Sequence, residues 1–394
     1  MKTLKKIVAL MLALTLVLVY APPAMAATDN TEVKSAVDIS SGGKTIDFAE
    51  VMDQRKYYVF TAQESGYVSF TIAREDYSST DRPRWNMYVY DGRMNQICNG
   101  YAENESYTSQ TLMANKGDTY YLEVYGYNRA STQMTYYVQA NFTSYEFIEI
   151  EDNDSSSEAT KLENGNLYLG NMISFDDVDF YKITASKSGV YTIHFDRHEF
   201  TSTNTSKWYF ALYDSNMNQL YESDTYNNKE DGINVNYVLA KGKSIYVRIK
   251  NCSSSIGETY EIKTTFNKKT YIETEKNDDF STADTVKLSK VYCGVLAESG
   301  TKAADYFVFK AEKSGTYKIT FSLAKDLTYA QKITVYDASH KEIKTSDKIY
   351  KNGSISFKAN KGKKYYISVK HADGSIFGGY NVGILYKLKV AKKK

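Results

Sequence analysis

The chain has 394 residues, enough for two or three domains of ordinary size. Its 49 Lys and Arg nearly balance its 47 Asp and Glu, which gives a formal net charge of +2, and no basic stripe favours nucleic acid as a partner. Three cysteines are too few for a disulfide framework in a chain of this length. We expect Cys98, Cys252 and Cys293 to be buried free thiols, in preference to a Cys252–Cys293 bridge.

The first residues have the anatomy of a secretory signal peptide. A positive start in residues 1–6 precedes an apolar run over 7–19, and small residues follow up to Ala26 and Ala27. The apolar run is too short to span a membrane comfortably. We therefore predict cleavage near Ala26 or Ala27, no transmembrane segment in the mature chain, and a secreted protein, either free or loosely held at the cell surface.

The rest of the sequence is predicted to contain three tandem copies of one module. A Ser-Gly turn within alternating apolar and polar residues recurs at Gly66, Gly189 and Gly315, at intervals of domain length. A run ending in Tyr-Asp and a Lys-Gly turn before a Tyr-rich run follow in the same order each time. The predicted boundaries are 1–27 for the signal peptide, 28–144 for copy 1, which is divergent, 145–268 for copy 2 and 269–394 for copy 3.

The alternation of apolar and polar residues in these runs is typical of half-buried strands. The runs are rich in Tyr, Val, Ile, Phe and Thr, and no convincing helical period interrupts them. Glycine suits the turns between the runs because it takes positive φ at little cost. The predicted fold class is all-β, with three tandem antiparallel β-sandwich domains. We place the closing strand of each copy at 136–142, 260–266 and 380–386.

An acidic motif, Glu-x-Glu-x-Asn-Asp, begins at Glu149 before copy 2 and at Glu273 before copy 3. Further acids stand at the next predicted strand. Carboxylate and amide oxygens are the ligands that Ca²⁺ prefers. The alternative is an ordinary, well-solvated acidic linker. The candidate metal ligands are Glu149, Glu151, Asn153, Asp154, Asp177 and Asp179 in copy 2, and Glu273, Glu275, Asn277, Asp278 and Asp305 in copy 3, where one strand acid fewer predicts a weaker site.

Copy 1 departs from this pattern at its entry. It has Asn30 and Glu32 but not the full acidic motif, and Lys56 stands where the other copies have Asp179 and Asp305. A lysine at a ligand position opposes a cation. We therefore predict no metal in copy 1.

As an ordered set, the acidic link, the Ser-Gly turn, the Tyr-Asp strand end and the Lys-Gly turn resemble the bacterial pre-peptidase C-terminal domain family. This family includes the collagen-binding domains of clostridial collagenases. The resemblance covers essentially all of copies 2 and 3 and the core half of copy 1. It implies a jelly-roll-like sandwich and, as in the collagen-binding members, calcium held where the linker folds back on the sheet.

Catalytic motifs are not evident in the sequence, and we predict that the protein is not an enzyme. His194 and His198 are four residues apart, but no Glu follows His194, so the zinc-protease motif is absent and a structural or surface pair is expected. Neither a Gly-x-Ser-x-Gly elbow nor a phosphate-binding loop is present.

The 37 Tyr and 2 Trp favour a binding function, because their rings offer rigid apolar faces with a polar edge. Tyrosine is also simply a good strand former. We predict a monomeric adhesion protein for an extracellular protein or polysaccharide; the alternatives are a cell-envelope spacer or an accessory subunit of a secreted peptidase. The candidate ligand-binding residues are Trp85, Tyr125, Tyr127 and Trp208.

Overall fold

A computed structural model describes residues 29–75, 82–103, 105–128, 131, 134–197, 207–224, 232–253, 257–296, 304–325, 330–372 and 383–393. Within these ranges, the secondary structure is β-strand apart from the 3-10 turn Val33–Ser35, which confirms the predicted all-β class. No helix in these ranges has the length and apolarity needed to cross a membrane. The predicted signal peptide lies outside the described residues.

Strands recur in the same sequence in each predicted copy. The strands within copy 1 are β1 (Val37–Asp38), β2 (Thr45–Phe48), β3 (Arg55–Thr61), β4 (Gly66–Arg74), β5 (Trp85–Tyr90), β6 (Gln96–Ala102), β7 (Tyr107–Thr108), β8 (Leu112–Ala114), β9 (Thr119–Gly126) and β10 (Thr135–Ser144). Those within copy 2 are β11 (Thr160–Lys161), β12 (Leu167–Asn171), β13 (Val178–Thr184), β14 (Gly189–Arg197), β15 (Lys207–Tyr213), β16 (Gln219–Asp224), β17 (Ile233–Leu239), β18 (Ser244–Ser253) and β19 (Thr259–Lys268). Those within copy 3 are β20 (Asp284–Thr285), β21 (Val291–Leu296), β22 (Ala304–Lys310), β23 (Gly315–Leu323), β24 (Gln331–Tyr336), β25 (Glu342–Thr345), β26 (Asn352–Ala359), β27 (Lys364–His371) and β28 (Ile384–Lys392).

Two sheets with one shared strand order form in each copy. Sheet I has the order β1-β3-β9-β5-β6, β11-β13-β18-β15-β16 and β20-β22-β27-β24-β25 in the three copies. Sheet II has the order β2-β10-β4-β7, with β8 also paired to β4, then β12-β19-β14-β17 and β21-β28-β23-β26. Neighbouring strands are antiparallel except that the short first strand of each sheet I runs parallel to its partner.

By compactness the chain divides into two units. The first is Met1–Thr61 with Ser69–Ser109 and Asp118–Phe142. The second is Ala62–Val68 with Gln110–Gly117 and Thr143–Lys394, and it contains copies 2 and 3. The boundaries of the three copies stay a prediction.

Both tryptophans belong to sandwich cores. Trp85 is 0% exposed and its ring centroid lies 5.6 Å from that of Tyr136. Trp208 is 1% exposed and packs against Phe195 and Tyr260, at 6.0 and 6.3 Å. The prediction that Trp85 and Trp208 bind ligand is wrong, because neither ring reaches the surface.

The closing strand of copy 3 begins later than predicted. It is β28, which starts at Ile384 and continues well past residue 386, whereas 380–382 lie outside the described residues. Tyr386 pairs with Gly294 as Tyr260 pairs with Gly170, so Tyr386 is the counterpart of Tyr260. Of the thiols predicted to be buried and free, Cys293 is free and buried, and Cys98 is only half-buried. The side chain of Cys252 lies outside the described residues.

Replacing Trp208 with Ala is expected to lower the free energy of unfolding by about 3–5 kcal/mol, because a large buried ring is lost and a cavity remains. Urea denaturation followed by far-ultraviolet circular dichroism measures the change. Trp85→Ala is the matched variant in copy 1, and each variant keeps one Trp as a fluorescent reporter of the other copy. Unfolding midpoints unchanged in both variants would contradict the core assignment.

Candidate metal centres and binding surface

The linker into copy 2 is fastened to both of that copy's sheets. Glu149 donates its N–H to the carbonyl of Leu169 in sheet II at 2.8 Å, and the N–H of Phe180 in sheet I donates to the carbonyl of Asn153 at 2.9 Å. These two backbone bonds fix the segment between them across one edge of the sandwich. Its acidic side chains are therefore placed by the backbone and not by their own contacts alone.

Three of the predicted ligands in copy 2 meet at this edge. Carboxylate oxygens of Glu149, Glu151 and Asp179 all lie within 4.8 Å of one another. Glu149 and Asp179 are 0% exposed, whereas Glu151 is open to solvent. The arrangement offers hard oxygen donors with one exposed side, which suits entry of a divalent cation.

Tyrosine hydroxyls hold the two buried carboxylates. Glu149 Oε2 accepts hydrogen bonds from Tyr181 at 3.0 Å and Tyr260 at 3.1 Å, and its Oε1 accepts the N–H of Asn171 at 2.7 Å. The Tyr260 hydroxyl is also within hydrogen-bond distance of Asp179. Neither tyrosine is among the residues predicted from sequence. The available signal for Tyr260 was a Tyr at one register position of the closing strand in all three copies.

The crowding of carboxyl groups raises their proton affinity. Burial, with the neighbouring carboxylates, raises the pKa of Glu149 and of Asp179 well above the usual range. Desolvation and the charge of Asp177 raise the pKa of Glu151 to about 8, and desolvation raises the pKa of Asp177 to about 6. Like charges this close oppose joint ionisation, so the cluster favours either bound protons or a cation.

Asn153 supplies a separate sign of a ligand site. It is 0% exposed, and its amide Nδ2 donates to Thr160 Oγ1 at 3.3 Å, but its Oδ1 is buried without a hydrogen-bond partner among the described residues. The same holds for Oδ1 of Asp179. A buried polar oxygen without a partner is costly, and a metal ion would satisfy it.

The other two predicted ligands of copy 2 make backbone contacts near the cluster. Asp154 Oδ1 accepts the N–H of Val178 at 3.1 Å, and Asp177 accepts the N–H of Ile173. Neither belongs to the set of three mutually close carboxylates. Both place negative charge beside that set. Asp154 and Asp177 each raise the pKa of Glu151, and Asp177 also raises the pKa of Asp179.

Copy 3 repeats the arrangement. Carboxylate oxygens of Glu273, Glu275 and Asp305 lie within 4.8 Å of one another. The Tyr386 hydroxyl is 2.5 Å from Glu273 Oε2 and 2.6 Å from Asp305 Oδ2. Asn277 is 0% exposed, and its Oδ1 has no hydrogen-bond partner in the described part of the chain. Burial and the nearby Asp305 raise the pKa of Glu273 well above its usual range.

Two differences set the copy 3 cluster apart. Phe307 stands where copy 2 has Tyr181, so one supporting hydroxyl is missing. The second difference is in the sequence, which has Ala303 and no acid at the position of Asp177. As Asp154 does in copy 2, the predicted ligand Asp278 lies outside the set of three carboxylates, and burial raises its pKa.

A glycine makes room for the linker carboxylate in each of these copies. A Cβ on Gly170 would lie 2.5 Å from Glu149 Oε2 and from Tyr181 Oη. A Cβ on Gly294 would overlap Glu273 and Tyr386 in the same way. The close approach of the linker therefore requires glycine at this strand position.

Copy 1 fills the same position with its own carboxylate. Asp47 pairs with Tyr136 in sheet II, as Gly170 pairs with Tyr260 in copy 2. The carboxylate that copy 2 brings from its linker thus comes from the strand itself in copy 1.

A lysine accompanies this buried carboxylate. Asp47 Oδ2 accepts hydrogen bonds from Tyr58 at 2.8 Å and from Asn30 Nδ2 at 3.2 Å. The Lys56 ammonium lies 3.9 Å from Asp47 Oδ1, and both side chains are 2% exposed. Lys56 therefore places a positive charge where copies 2 and 3 gather carboxylates. That copy 1 binds no metal stays a prediction, and Lys56 gives it a physical reason.

Sheet I carries three aromatic rings on its outer face in every copy. In copy 1, Tyr90 of β5 pairs directly with Tyr121 of the central strand, β9. Tyr57 of β3 pairs with Glu123, which lies two positions after Tyr121 on β9. The other two copies have the same pairing. We call each set the aromatic triad: Tyr57, Tyr90 and Tyr121 in copy 1, Phe180, Tyr213 and Tyr246 in copy 2, and Tyr306, Tyr336 and Tyr366 in copy 3.

A polar residue on the central strand lies among each triad, and its charge differs between copies. Glu123 in copy 1 is paired with Arg55 and accepts the Tyr57 hydroxyl at 3.0 Å. Arg248 in copy 2 lies 3.6 Å from a Glu222 oxygen. The third position is Ser368, which is buried. The three faces therefore share their rings and differ in their central charge.

Two of the predicted ligand-binding tyrosines lie at the surface of copy 1. Tyr125 is half-buried and stacks on Tyr88 at 6.0 Å between centroids. Tyr127 is 56% exposed, and the Arg84 guanidinium lies between its ring and that of Tyr101, at 4.5 and 3.7 Å. Their binding role stays a prediction.

His194 lies on β14 of sheet II, and its Nδ1 is 3.1 Å from Asn234 Oδ1. Its pairing with His198 stays a prediction. His198, its predicted companion, lies outside the described residues.

No family model matches the chain. Among solved structures, it is similar to the pre-peptidase C-terminal domain of a collagenase from Bacillus anthracis, at 18% identity and TM-score 0.22, over 27% of this chain and 93% of that one. It is also similar to the tandem CBM51 modules of a family 98 glycoside hydrolase from Streptococcus pneumoniae, at 8% identity and TM-score 0.20, over 57% and 84%. At such TM-scores the resemblance assigns neither a family nor a ligand.

Replacing Gly170 with Ala is expected to lower the free energy of unfolding by about 1–3 kcal/mol, because the added methyl group overpacks the buried carboxylate site. Thermal and urea unfolding of the full chain measure the change. Gly43→Ala is the control, since its nearest contact is 3.9 Å away. Equal stability of the two variants would show that the linker carboxylate does not lie against this strand.

Proposed function

We propose that this protein is a non-catalytic, exported binding protein that adheres to an extracellular polymer through the outer faces of its sheets I. The observation that supports this most is the recurrence of the aromatic triad at one register position in all three copies. Strand formation alone favours aromatic or β-branched residues, but it does not explain why rings recur at the same three positions around a polar residue in every copy.

Rigid rings with polar edges suit the recognition of extended polymers. Tyrosine supplies a large contact area at low conformational entropy cost. Several weak contacts on one chain also combine into higher avidity when the polymer repeats its binding groups. A cell-envelope spacer or a peptidase accessory subunit is the second candidate, and polymer binding separates it from the first.

We propose further that Ca²⁺ binds the carboxylate clusters of copies 2 and 3. Support comes from the all-oxygen donor set, the raised carboxyl pKa values, and the buried amide oxygens of Asn153 and Asn277 that lack a hydrogen-bond partner within the described ranges. Calcium there neutralises the buried charge and fastens the linker to the sandwich. Its role is structural, because the cluster lies at the edge of the sandwich and not among the triad rings.

Calcium titration of the metal-stripped mature chain by isothermal calorimetry is expected to show two sites, with copy 2 the tighter. Asp179→Asn should remove one site and Asp305→Asn the other, since each loses a buried anionic ligand. Asp347→Asn, an exposed acid elsewhere, is the control and should keep both sites. A chain that neither binds calcium nor gains thermal stability from it would refute the metal proposal.

Co-sedimentation with insoluble collagen, mucin, cell-wall glycan and plant polysaccharide is expected to identify at least one polymer that retains the protein. For that polymer, the double change Tyr57→Ala and Tyr121→Ala should weaken binding about tenfold, equivalent to about 1.4 kcal/mol. Tyr350→Ala, which removes a ring 48% exposed elsewhere in copy 3, should leave binding unchanged. Retention by none of the four polymers would favour the spacer.

A further inference from the structure

The charge of this chain is divided unevenly along its length. Residues 269–394, the predicted third copy, contain 24 lysines, no arginine and 13 Asp and Glu, which gives them a formal net charge of +11. Residues 28–268 have a formal net charge of −12. The total of +2 for the whole sequence conceals this division. A charge asymmetry of this size between parts of a chain points to a charged partner.

Four of the lysines in copy 3 lie on the outer face of its sheet II. Each alternates with core residues along its strand, so its side chain points away from the sandwich. The set, which we call the lysine stripe, is Lys318 of β23, Lys358 of β26, and Lys387 and Lys389 of β28. These strands are separated in the sequence, so no run of charge in the sequence marks the stripe.

The strand register sets the four lysines in a diagonal line. Lys318 pairs with Ala391 of β28, two positions after Lys389, and with Ser356 of β26, two positions before Lys358. Such diagonal neighbours on a sheet are about 7–8 Å apart, and Lys387 and Lys389 are separated by about 7 Å along their strand. The stripe therefore repeats a positive charge at nearly even intervals across three strands.

The stripe has no acidic neighbour on its own sheet. The four strands of that sheet, β21, β23, β26 and β28, contain no Asp or Glu. Within the described part of the chain, none of the four lysines forms an ion pair. Lys358 and Lys387 are exposed, and Lys318 and Lys389 are half-buried. The positive charge of this face is therefore available to an external anion.

The stripe belongs to copy 3 alone. The strand registers give the corresponding residues as Glu261, Lys263, Thr192 and Val238 in copy 2, and Tyr137, Gln139, Ser69 and Met113 in copy 1. One of these positions is a lysine in copy 2 and none is in copy 1. The shared fold therefore does not require lysine at these places.

The position of Lys358 has another use in the first two copies. Val238 is buried beside Val295 of copy 3, and Met113 is buried beside Ile148 of the linker into copy 2. In copies 1 and 2 this part of sheet II thus packs on the chain that follows. In copy 3 the same position is an exposed lysine.

The chemistry of the stripe favours phosphate over other anions. A lysine ammonium is a point charge with three rotating donors, which suits a phosphate group, whereas arginine, whose fork binds planar carboxylates in a bidentate manner, does not occur in residues 269–394. Thr320, Ser354 and Ser356 place hydroxyl donors on the same face. No outward residue of the four strands is aromatic, so this sheet offers the bases of a nucleic acid no ring to stack on.

We propose that the lysine stripe binds an extended phosphodiester polymer, which follows the diagonal line of the four ammonium groups. Charges repeated along a line match a chain that carries one negative charge in each unit. This inference goes beyond the proposed function, because it rests on charge on sheet II of copy 3 and not on the rings of sheets I. The same polymer repels the net negative charge of copies 1 and 2, so attachment is confined to copy 3.

Binding of lipid-free poly(glycerol phosphate) to the full mature chain tests the stripe. Biolayer interferometry measures it at about 0.1 M salt, where exposed charges still act over about 10 Å. The combined changes Lys318→Gln, Lys358→Gln, Lys387→Gln and Lys389→Gln should weaken binding about tenfold or more, because each removes a phosphate partner. Ser354→Lys, which adds a fifth ammonium group to this face, should strengthen binding several-fold.

A matched control separates the site from the net charge. The changes Lys310→Gln, Lys332→Gln, Lys341→Gln and Lys364→Gln remove the same charge from strands of sheet I and the loop after β24, and they should change the affinity about twofold at most. Thermal unfolding of each variant verifies that it is folded. An equal loss of affinity in the stripe and control variants would overturn the inference.

The choice of polymer is tested in parallel on the unchanged chain. Tighter binding to polygalacturonate, to single-stranded DNA or to phosphatidylglycerol vesicles than to poly(glycerol phosphate) would overturn the assignment of a phosphodiester polymer. The double change Tyr57→Ala and Tyr121→Ala should leave the binding of poly(glycerol phosphate) unchanged. Failure of the stripe and failure of the proposed function are therefore distinguishable.

Discussion

Burial of a linker carboxylate is the constraint on which the rest of copies 2 and 3 depends. Glu149 and Glu273 are almost fully removed from solvent, and a buried charge is strongly unfavourable unless hydrogen bonds and a countercharge compensate it. Gly170 and Gly294 leave space for the two carboxylates. Tyr260 and Tyr386 of the closing strands donate a hydroxyl hydrogen bond to them. Asp179 in copy 2 and Asp305 in copy 3 are a second buried acid beside the first. Because two buried negative charges this close repel each other, the folded state requires a cation or bound protons there.

The same short linker also decides what the outer face of sheet I displays. Its Asn carbonyl binds the strand that bears the first ring of the triad, and in copy 3 the residue three positions on, Phe280, lies 4.7 Å from Tyr306 and 5.1 Å from Tyr336 between ring centroids. The carboxylate cluster and the aromatic face are thus controlled from one segment of about eight residues. Loss of the countercharge would loosen the linker register in copy 3 and, with it, the position of Phe280.

Sequence periodicity was sufficient for the fold class and the repeated order of strands. The repeated acidic motif and the family resemblance, and not the periodicity, suggested that the linker acids lie near Asp179 and Asp305, as they do in the structure. Periodicity was not sufficient for the faces of the aromatic residues, because neighbouring residues of a strand point to opposite sides and a shift of one position exchanges core for surface. Trp208 is buried while the next residue, Tyr209, faces outward. Tyr181 has Phe307 as its counterpart in copy 3, so it left no repeated signal. Tyr260 recurs as Tyr136 and Tyr386, but a tyrosine at position 380 drew the predicted closing strand of copy 3 too early and hid this match.

Lys56 has a consequence for the order in which the copies reach their final form. Its ammonium group is part of the chain, so the buried Asp47 of copy 1 has its countercharge from the moment of synthesis. On the proposal that calcium binds copies 2 and 3, these copies take the matching positive charge from their surroundings. Because domains generally fold from the N-terminus as the chain emerges, copy 1 can complete its folding at once, while on the calcium proposal the later copies mature where that ion is available.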